Sequence, residues 1–230
     1  MVPAALMTAI ALALPAVMVG NALWLLLGPW LVDVAYAVPG FPDDAGGLDR
    51  DARAALAHQG VEAVRPLGPG VDVLREAELP GGEAAFGPAE ISHMADVRAL
   101  VGSFTILWTG GLAALVVAGA TLLARADRAR ALRALRAGAL AALAAVGAIA
   151  LFALLASDAL FTAFHGVFFE GDSWRFADEV TLRRLYPDEF WGLAGAALGL
   201  LVAAQALALA IFAGRRAAAR PGRPPKLEVG

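Results

Sequence analysis

Residues 161–191, FTAFHGVFFEGDSWRFADEVTLRRLYPDEFW, stand between two long apolar runs and decide how the rest of the chain is read. A connection that only returned the chain to a bilayer would be short. It would have no need to gather Phe164, His165, Phe168, Phe169, Trp174, Phe176, Tyr186, Phe190 and Trp191. Aromatic rings collect at membrane interfaces in any case, so the ordinary aromatic belt accounts for roughly a third of this signal. The histidine and the dense charge do not follow from it.

The composition agrees with the flanking runs. Of 230 residues, 60% are hydrophobic and 17% charged, with a mean hydropathy of +0.68, which is outside the range of soluble domains and places the chain in a membrane. No cysteine is present, so disulfides, thiolate metal sites and a cysteine nucleophile are excluded. A formal net charge of -3 without an aromatic-interleaved basic stripe speaks against nucleic acid as a partner.

Four apolar runs are each long enough to cross a hydrocarbon core of about 30 Å. They predict an all-α membrane protein with spans at residues 1–31, 100–124, 137–161 and 191–214. Pro15 predicts a kink in the first, and Asn21 is its one strongly polar residue. Ala35, Tyr36 and Ala37 form an A-x-A pattern, but the apolar run before them exceeds the about 7 to 15 residues of a signal-peptide core and no Lys or Arg precedes it. The segment is therefore read as retained. Gly195 and Gly199 form a G-x-x-x-G pair of a kind common by chance in alanine-rich helices.

Charge placement predicts the orientation. The connection 125–136 carries Arg125, Arg128, Arg130, Arg133 and Arg136 against Asp127 alone, and the tail 215–230 carries Arg215, Arg216, Arg220, Arg223 and Lys226 against Glu228. These are the cytoplasmic segments by the positive-inside rule. The Pro-rich basic stretch Pro221–Lys226 reads as disordered near anionic lipid. Residues 32–99 and 162–190 are net acidic and form an extracytoplasmic cap, leaving both termini inside. Within the cap, turn chemistry falls at residues 39–47 and 68–72, and Asp49 to Val64 has the composition of an amphipathic helix capped by Asp49 or Asp51, with Leu56 and Val61 on its apolar side.

This topology gives two of the three histidines a common address at the outer membrane surface, His93 just before the second span and His165 just after the third. His58, in the cap helix, is read as a structural residue. Asp96 follows His93 by three and Glu90 precedes it by three, so on a helix either carboxylate could orient the ring and set its tautomer. Arg98 reads as an interfacial anchor. The serines lack a G-x-S-x-G elbow, and two histidines do not supply the three ligands a zinc site needs, so no metal or other cofactor is called for. General acid and base chemistry remains, on a substrate that brings its own nucleophile.

Tyr36 with PGFPDD at 39–44 and Arg50, E-x-x-H-M-x-D-V at 90–97, and F-H-x-x-F-F, W-x-F, T-L-x-R-L-Y-P and F-W between residues 164 and 191 together resemble the lipoprotein intramolecular transacylase family over essentially the whole chain. One departure is Val180, where an acidic residue is expected before Thr181; Asp178 and Glu179 lie upstream instead. The resemblance implies a bacterial cell-membrane protein of four helices with an extracytoplasmic cap formed by the first and last outer loops. Its substrate would be a diacylglyceryl-modified lipoprotein, reached through membrane lipid. The implied reaction moves an acyl chain from the glyceryl sn-2 oxygen to the α-amino group of the N-terminal cysteine, leaving a lyso-form lipoprotein. His93 and His165 would be the catalytic pair, with His93 taken as the base because Asp96 is beside it. Orienting or substrate-binding roles would fall to Tyr36, Glu90, Met94, Asp96, Phe164, Phe168, Phe169, Trp174, Tyr186 and Trp191. Two rival readings remain: a non-enzymatic module whose acidic cap binds a protein partner, and a bis-histidine haem protein, which needs facing histidines inside the bilayer where this topology places none.

Overall fold

The computed structural model describes residues 4–124 and 128–218; Arg125, Asp127 and the tail with Arg220, Glu228 and the Pro221–Lys226 stretch lie outside them. The described elements are α1 (Ala4–Leu26), α2 (Trp30–Ala37), α3 (Arg50–Val64), a 3-10 turn at Val71–Leu74, α4 (Pro88–Ala124), α5 (Arg128–Phe168), α6 (Thr181–Leu185) and α7 (Asp188–Ala218). Extended pairing among the described residues is confined to one bridge between Glu78 and Ala84. Four helices, α1, α4, α5 and α7, are long and apolar enough to cross a membrane, which is the predicted all-α class.

The helices overrun the apolar runs. α4 begins at Pro88 rather than residue 100, α5 continues to Phe168 and α7 begins at Asp188. Hydropathy marks where lipid contact starts, whereas a helix persists until its backbone hydrogen bonds are broken or capped. Asp188 and Glu189 suit the first turn of α7 because carboxylates there oppose the positive end of the helix dipole. α1 is the exception, ending at Leu26 because Gly28 and Pro29 follow. Proline has no N–H to donate and disfavours a helical residue before it. Trp30 Nε1 then donates to the Leu25 carbonyl at 2.9 Å. α1 passes through Pro15 as one element, whereas α5 is interrupted at Ala156 (φ -156°, ψ 58°), which no proline announces.

Leu14, Met18 and Ala22 of α1, Ala139 and Ala142 of α5, and Val202 and Ala206 of α7 form the buried seam of the bundle. Small side chains let the backbones approach, and the tight point is Gly138, where a Cβ would meet the Ala11 carbonyl at 2.9 Å. The Gly195/Gly199 pair is not such a point: nothing lies within 4 Å of a Cβ built at Gly195. Asn21 is absorbed in a polar junction, accepting from Trp108 Nε1 at 2.9 Å and donating to Gln205 Oε1 at 2.9 Å, while Gln205 donates to the Met18 and Leu201 carbonyls. α4 meets α5 through Leu115 and Ala118 against Ala131, Ala134 and Leu135, near the connection between them. At the other end of the same two helices stand the histidines.

Residues of α2, α3, the start of α4, α6 and the start of α7 share one apolar core, including Val32, Tyr36, Leu56, Leu74, Met94, Leu185 and Phe190. The two separate segments of sequence therefore make one cap. Asp49 caps α3, its carboxylate accepting from Ala52 N at 2.8 Å. Arg98, expected as an interfacial anchor, instead donates to the Ala63 and Arg65 carbonyls at 2.7 Å each, satisfying acceptors left open where α3 ends. Arg53 is 5% exposed and donates to the Pro42 and Arg184 carbonyls, with its guanidinium 5.0 Å from the Tyr36 ring centroid and 5.2 Å from that of Phe41. Tyr36 Oη donates to the Leu185 carbonyl at 2.8 Å and Tyr186 Oη to the Ala57 carbonyl at 2.6 Å. Burial pushes the Tyr36 hydroxyl up to about 12, against the opposing effect of Arg53, and raises Tyr186 also, so both stay donors.

Gly60 admits the Tyr186 hydroxyl, since a Cβ there would overlap it. Gly60→Ala is expected to displace that hydroxyl, leave the Ala57 carbonyl without its partner and destabilise the cap by about 1–3 kcal/mol. A thermal unfolding midpoint equal to that of the unchanged protein would show that the ring can move aside.

The covered Asp44 carboxylate accepts from Arg184 Nε at 2.9 Å, from its second guanidinium nitrogen at 2.6 Å, and from Leu48 N at 2.8 Å. Burial alone would raise its pKa, but the Arg184 hydrogen bonds and then the Leu48 N–H outweigh it and hold the carboxyl below the usual carboxylate range. A group depressed in the folded state contributes stability that is complete above its unfolded value of about 4 and is lost as pH falls through its lower folded value. The unfolding midpoint should therefore drop in that acid window, and Asp44→Asn should flatten the drop while lowering the midpoint at pH 7. An undiminished acid drop in Asp44→Asn would assign it to other carboxylates.

Candidate active site

His93 lies on the second turn of α4 and His165 on the last turn of α5, so the helix that was expected to have ended at residue 161 carries the second histidine rigidly instead of leaving it on a loop. Phe169 joins them: its ring centroid is 4.9 Å from that of His93 and 5.5 Å from that of His165, and the residue is 8% exposed. The two imidazoles also lie within electrostatic range of each other. Phe176 meets His93 edge-on at 5.5 Å. Around His165 stand Phe161 at 4.0 Å, Phe164 edge-on at 5.3 Å and Trp174 stacked at 4.6 Å. The result is a cage of rings in which imidazole is nearly the only polar group.

Each histidine is held differently. His165 Nδ1 is 2.8 Å from the Phe161 carbonyl, which can only accept. The ring must therefore carry its proton on Nδ1, leaving the Nε2 lone pair free. His93 makes no hydrogen bond, and its Nδ1 is buried without a partner. Trp174 Nε1 is in the same position. Burying such a group unpaired costs about 1–3 kcal/mol, so two of them in one cage mark a place with hydrogen-bonding capacity in reserve.

The two carboxylates expected to orient His93 do other work. Asp96 acts on the ring only through space, without a hydrogen bond, and faces a cavity of about 590 Å³ with Leu100, Ser103, Phe168, Phe169, Glu170 and Ser173. Glu90 is 5% exposed, and both its oxygens go to backbone N–H groups, Gly87 at 2.7 Å and Leu182 at 2.8 Å. The second bond bears on Val180. Position 180 is the N-cap of α6, where an acidic side chain would accept from the first turn, and valine cannot. Glu90 reaches across from α4 to serve the Leu182 N–H in its place.

Phe164, Phe168, Phe169 and Trp174 are thus gathered around the histidines, Phe168 by way of Phe164 at 4.9 Å. Tyr36, Met94 and Tyr186 are in the cap core, and Trp191 packs edge-on against Phe190 at 5.5 Å; the ring contacts of these aromatics are not with the histidines. Phe161, Phe176 and Phe104 complete the surroundings without having been singled out for the site. Phe161 could have been found, being four residues before His165 on one helix face. Phe104, whose ring meets Phe168 at 5.9 Å, comes from another helix and gives no local signal. His58 has no ring contact with the cage; its Nε2 is 2.9 Å from the Asp33 carboxylate. No cluster of three or more His, Asp or Glu side chains able to hold a metal occurs among the described residues.

Known proteins share both sequence and shape with this chain. An uncharacterized protein of Aquifex aeolicus (strain VF5) is 28% identical over 160 residues, which is 70% of each chain. The solved structure of the membrane integral lipoprotein intramolecular transacylase Lit from Bacillus cereus superposes with a TM-score of 0.75 at 17% identity, covering 92% of this chain and 95% of that one. A variant of the Bacillus cereus protein with one histidine replaced by alanine gives a TM-score of 0.72 at 16% identity, over 91% of each chain. At such identities the likeness is one of fold. The family described as lipoprotein intramolecular transacylase Lit matches residues 72–191, more than half of the chain, from the 3-10 turn of the cap through both histidines to the start of α7. On that match the chain belongs to the lipoprotein intramolecular transacylase family.

Proposed function

We propose that this transacylase moves an acyl chain from the glyceryl sn-2 oxygen of a diacylglyceryl-modified lipoprotein to the α-amino group of the same N-terminal cysteine. The observation that carries the reading is the cage itself: two imidazoles joined by one phenylalanine, one of them with a fixed tautomer. The amine nitrogen attacks the ester carbonyl carbon, forming the N–C bond, and the bond between that acyl carbon and the glyceryl sn-2 oxygen breaks. One proton passes from nitrogen to oxygen. No external nucleophile is needed, and none of the serines stands in the cage.

His165 takes the base role in this scheme. With Nδ1–H held by the Phe161 carbonyl, Nε2 accepts the amine proton and returns it to the departing glyceryl oxygen. His93, free of hydrogen bonds within the protein, can turn an N–H toward that oxygen and stabilise it as it leaves. The preference for His93 as base rested on an Asp96 partner, and without that hydrogen bond the preference moves to His165. N, Cα, Cβ, S, two glyceryl carbons, O and the acyl carbon close an eight-membered ring. Orientation is then the main barrier, and confinement by aromatic walls can contribute up to about 7–11 kcal/mol.

His93→Ala and His165→Ala should each lower lyso-lipoprotein formation by about 10²- to 10⁴-fold while the protein still accumulates, and His58→Ala should leave it unchanged. Mass spectrometry of lipoprotein N-terminal peptides from cells with and without each variant reads this directly. Near-normal product from both cage variants would favour a partner-binding cap over an enzyme.

The same reading places the cage at the outer face of the bacterial cell membrane and both termini in the cytoplasm, supported by the arginines of the α4–α5 connection and the net acidic cap. Cysteines at the exposed positions Asp72 and Arg128 should then react with impermeant reagents from opposite sides. Labelling of both from outside would overturn the orientation.

A further inference from the structure

The acyl transfer described above develops negative charge on the ester carbonyl oxygen, an atom that neither histidine serves in that scheme. When the amine attacks, the carbonyl π electrons move onto this oxygen; when the carbonyl re-forms, they return and the bond from the acyl carbon to the glyceryl oxygen breaks. A donor aimed at that oxygen strengthens as the charge grows, which is where catalytic hydrogen bonds act most. Such a donor has to be an N–H or O–H that the protein has not already used.

The cage holds few. His165 spends its N–H on the Phe161 carbonyl, and Glu90 takes the backbone N–H groups of Gly87 and Leu182. Trp174 Nε1 is different, because it is buried, has no partner, and can only donate. Its indole is also held in the cage, stacked on His165 at 4.6 Å and 30° and braced edge-on by Phe161 at 5.8 Å. From outside, Arg175 lies over the indole at 4.7 Å and is itself held by Asp172 at 2.9 Å. A ring packed on three sides with its one polar atom unsatisfied is arranged for a ligand rather than for anchoring. An interfacial anchor turns its N–H outward to water or lipid headgroups.

We propose that Trp174 is a further catalytic residue, its indole N–H donating to the ester carbonyl oxygen of the substrate and stabilising the oxyanion of the tetrahedral intermediate. The proposal rests on the acyl-transfer reading of the cage. The stacking gives it a geometric basis: the ring that carries the donor lies on the face of the ring that carries the base, so the carbonyl oxygen and the attacking amine are met from adjoining groups. The substrate reaches them from the neighbouring cavity, which shares Phe168 and Phe169 with the cage wall.

The test replaces the N–H while keeping the ring. The full-length protein in lipid is assayed on a synthetic diacylglyceryl-cysteinyl peptide, comparing the unchanged chain, Trp174→Phe, and a variant carrying benzothienylalanine at 174, in which sulfur stands where the N–H was. Both variants should lose kcat by about 10²- to 10³-fold with KM nearly unchanged, since the bond strengthens only as charge develops. Benzothienylalanine keeps the size and stacking of the indole, so it remains informative if Trp174→Phe fails to fold. Retention of kcat within about twofold by the benzothienyl variant overturns the proposal, and so does a loss seen only in KM. Failure of the unchanged chain to convert the peptide would instead sink the acyl-transfer reading on which this one stands.

Discussion

Glu90 is the joint on which the site depends. It is nearly inaccessible, and both carboxylate oxygens are occupied, one by the Gly87 N–H at the entry of α4 and one by the Leu182 N–H in the first turn of α6. Glu90 and Leu182 are 92 residues apart in sequence, and between them the chain descends α4 and returns up α5. A buried carboxylate that lost either partner would carry a desolvation cost that surrounding apolar groups could not offset. The bond therefore holds the turn bearing His93 against the segment that follows the aromatic loop. The sequence offered Glu90 as a carboxylate to orient the imidazole. It orients the backbone on which the imidazole stands.

Around this joint the cap is cross-tied by groups that answer exposed backbone carbonyls with side-chain donors. Arg53 and Tyr36 bind carbonyls of α6, Tyr186 binds one of α3, and Arg98 binds those where α3 ends. Short helices such as α2 and α6 have little stability of their own, so their ends must be satisfied from elsewhere. The dense polar chemistry of the cap is mostly structural for this reason, and the site is left with a small polar inventory: two imidazoles, one indole N–H, and the cavity residues Asp96, Glu170, Ser103 and Ser173. That economy suits an intramolecular transfer, in which the substrate supplies nucleophile and electrophile and the protein supplies confinement and a path for one proton.

The membrane helices set the spacing. α4 and α5 meet beside their connection, through Ala118 and Ala134, while their other ends carry the histidines, joined through the Phe169 ring. Alanine and glycine in the α1, α5 and α7 seam bring those three helices close, and the Asn21–Trp108–Gln205 junction ties α4 to the same group. The interruption at Ala156 falls in α5 between this packed seam and His165, so the final turns of α5 take a direction of their own toward the cage.

What the sequence determined by itself was whatever depends on composition and local order. Four long apolar runs can only be spanning helices, because a bilayer leaves no other way to satisfy the backbone, and the alternation of spans and connections put His93 and His165 at the same surface. Asp49 as a cap was legible for the same reason, since the acceptor and the N–H it serves are three residues apart. Tertiary structure alone decided which neighbours matter. Glu90 and Asp96 are both three residues from His93, yet neither bonds it, because one is claimed by α6 and the other faces the cavity. Val180 could be read only as a missing acid until Glu90 appeared beside Leu182. The unpaired nitrogens of His93 and Trp174 were likewise invisible, for a hydrogen bond left unmade depends on every group that folds around it, and most of those lie far away in the chain.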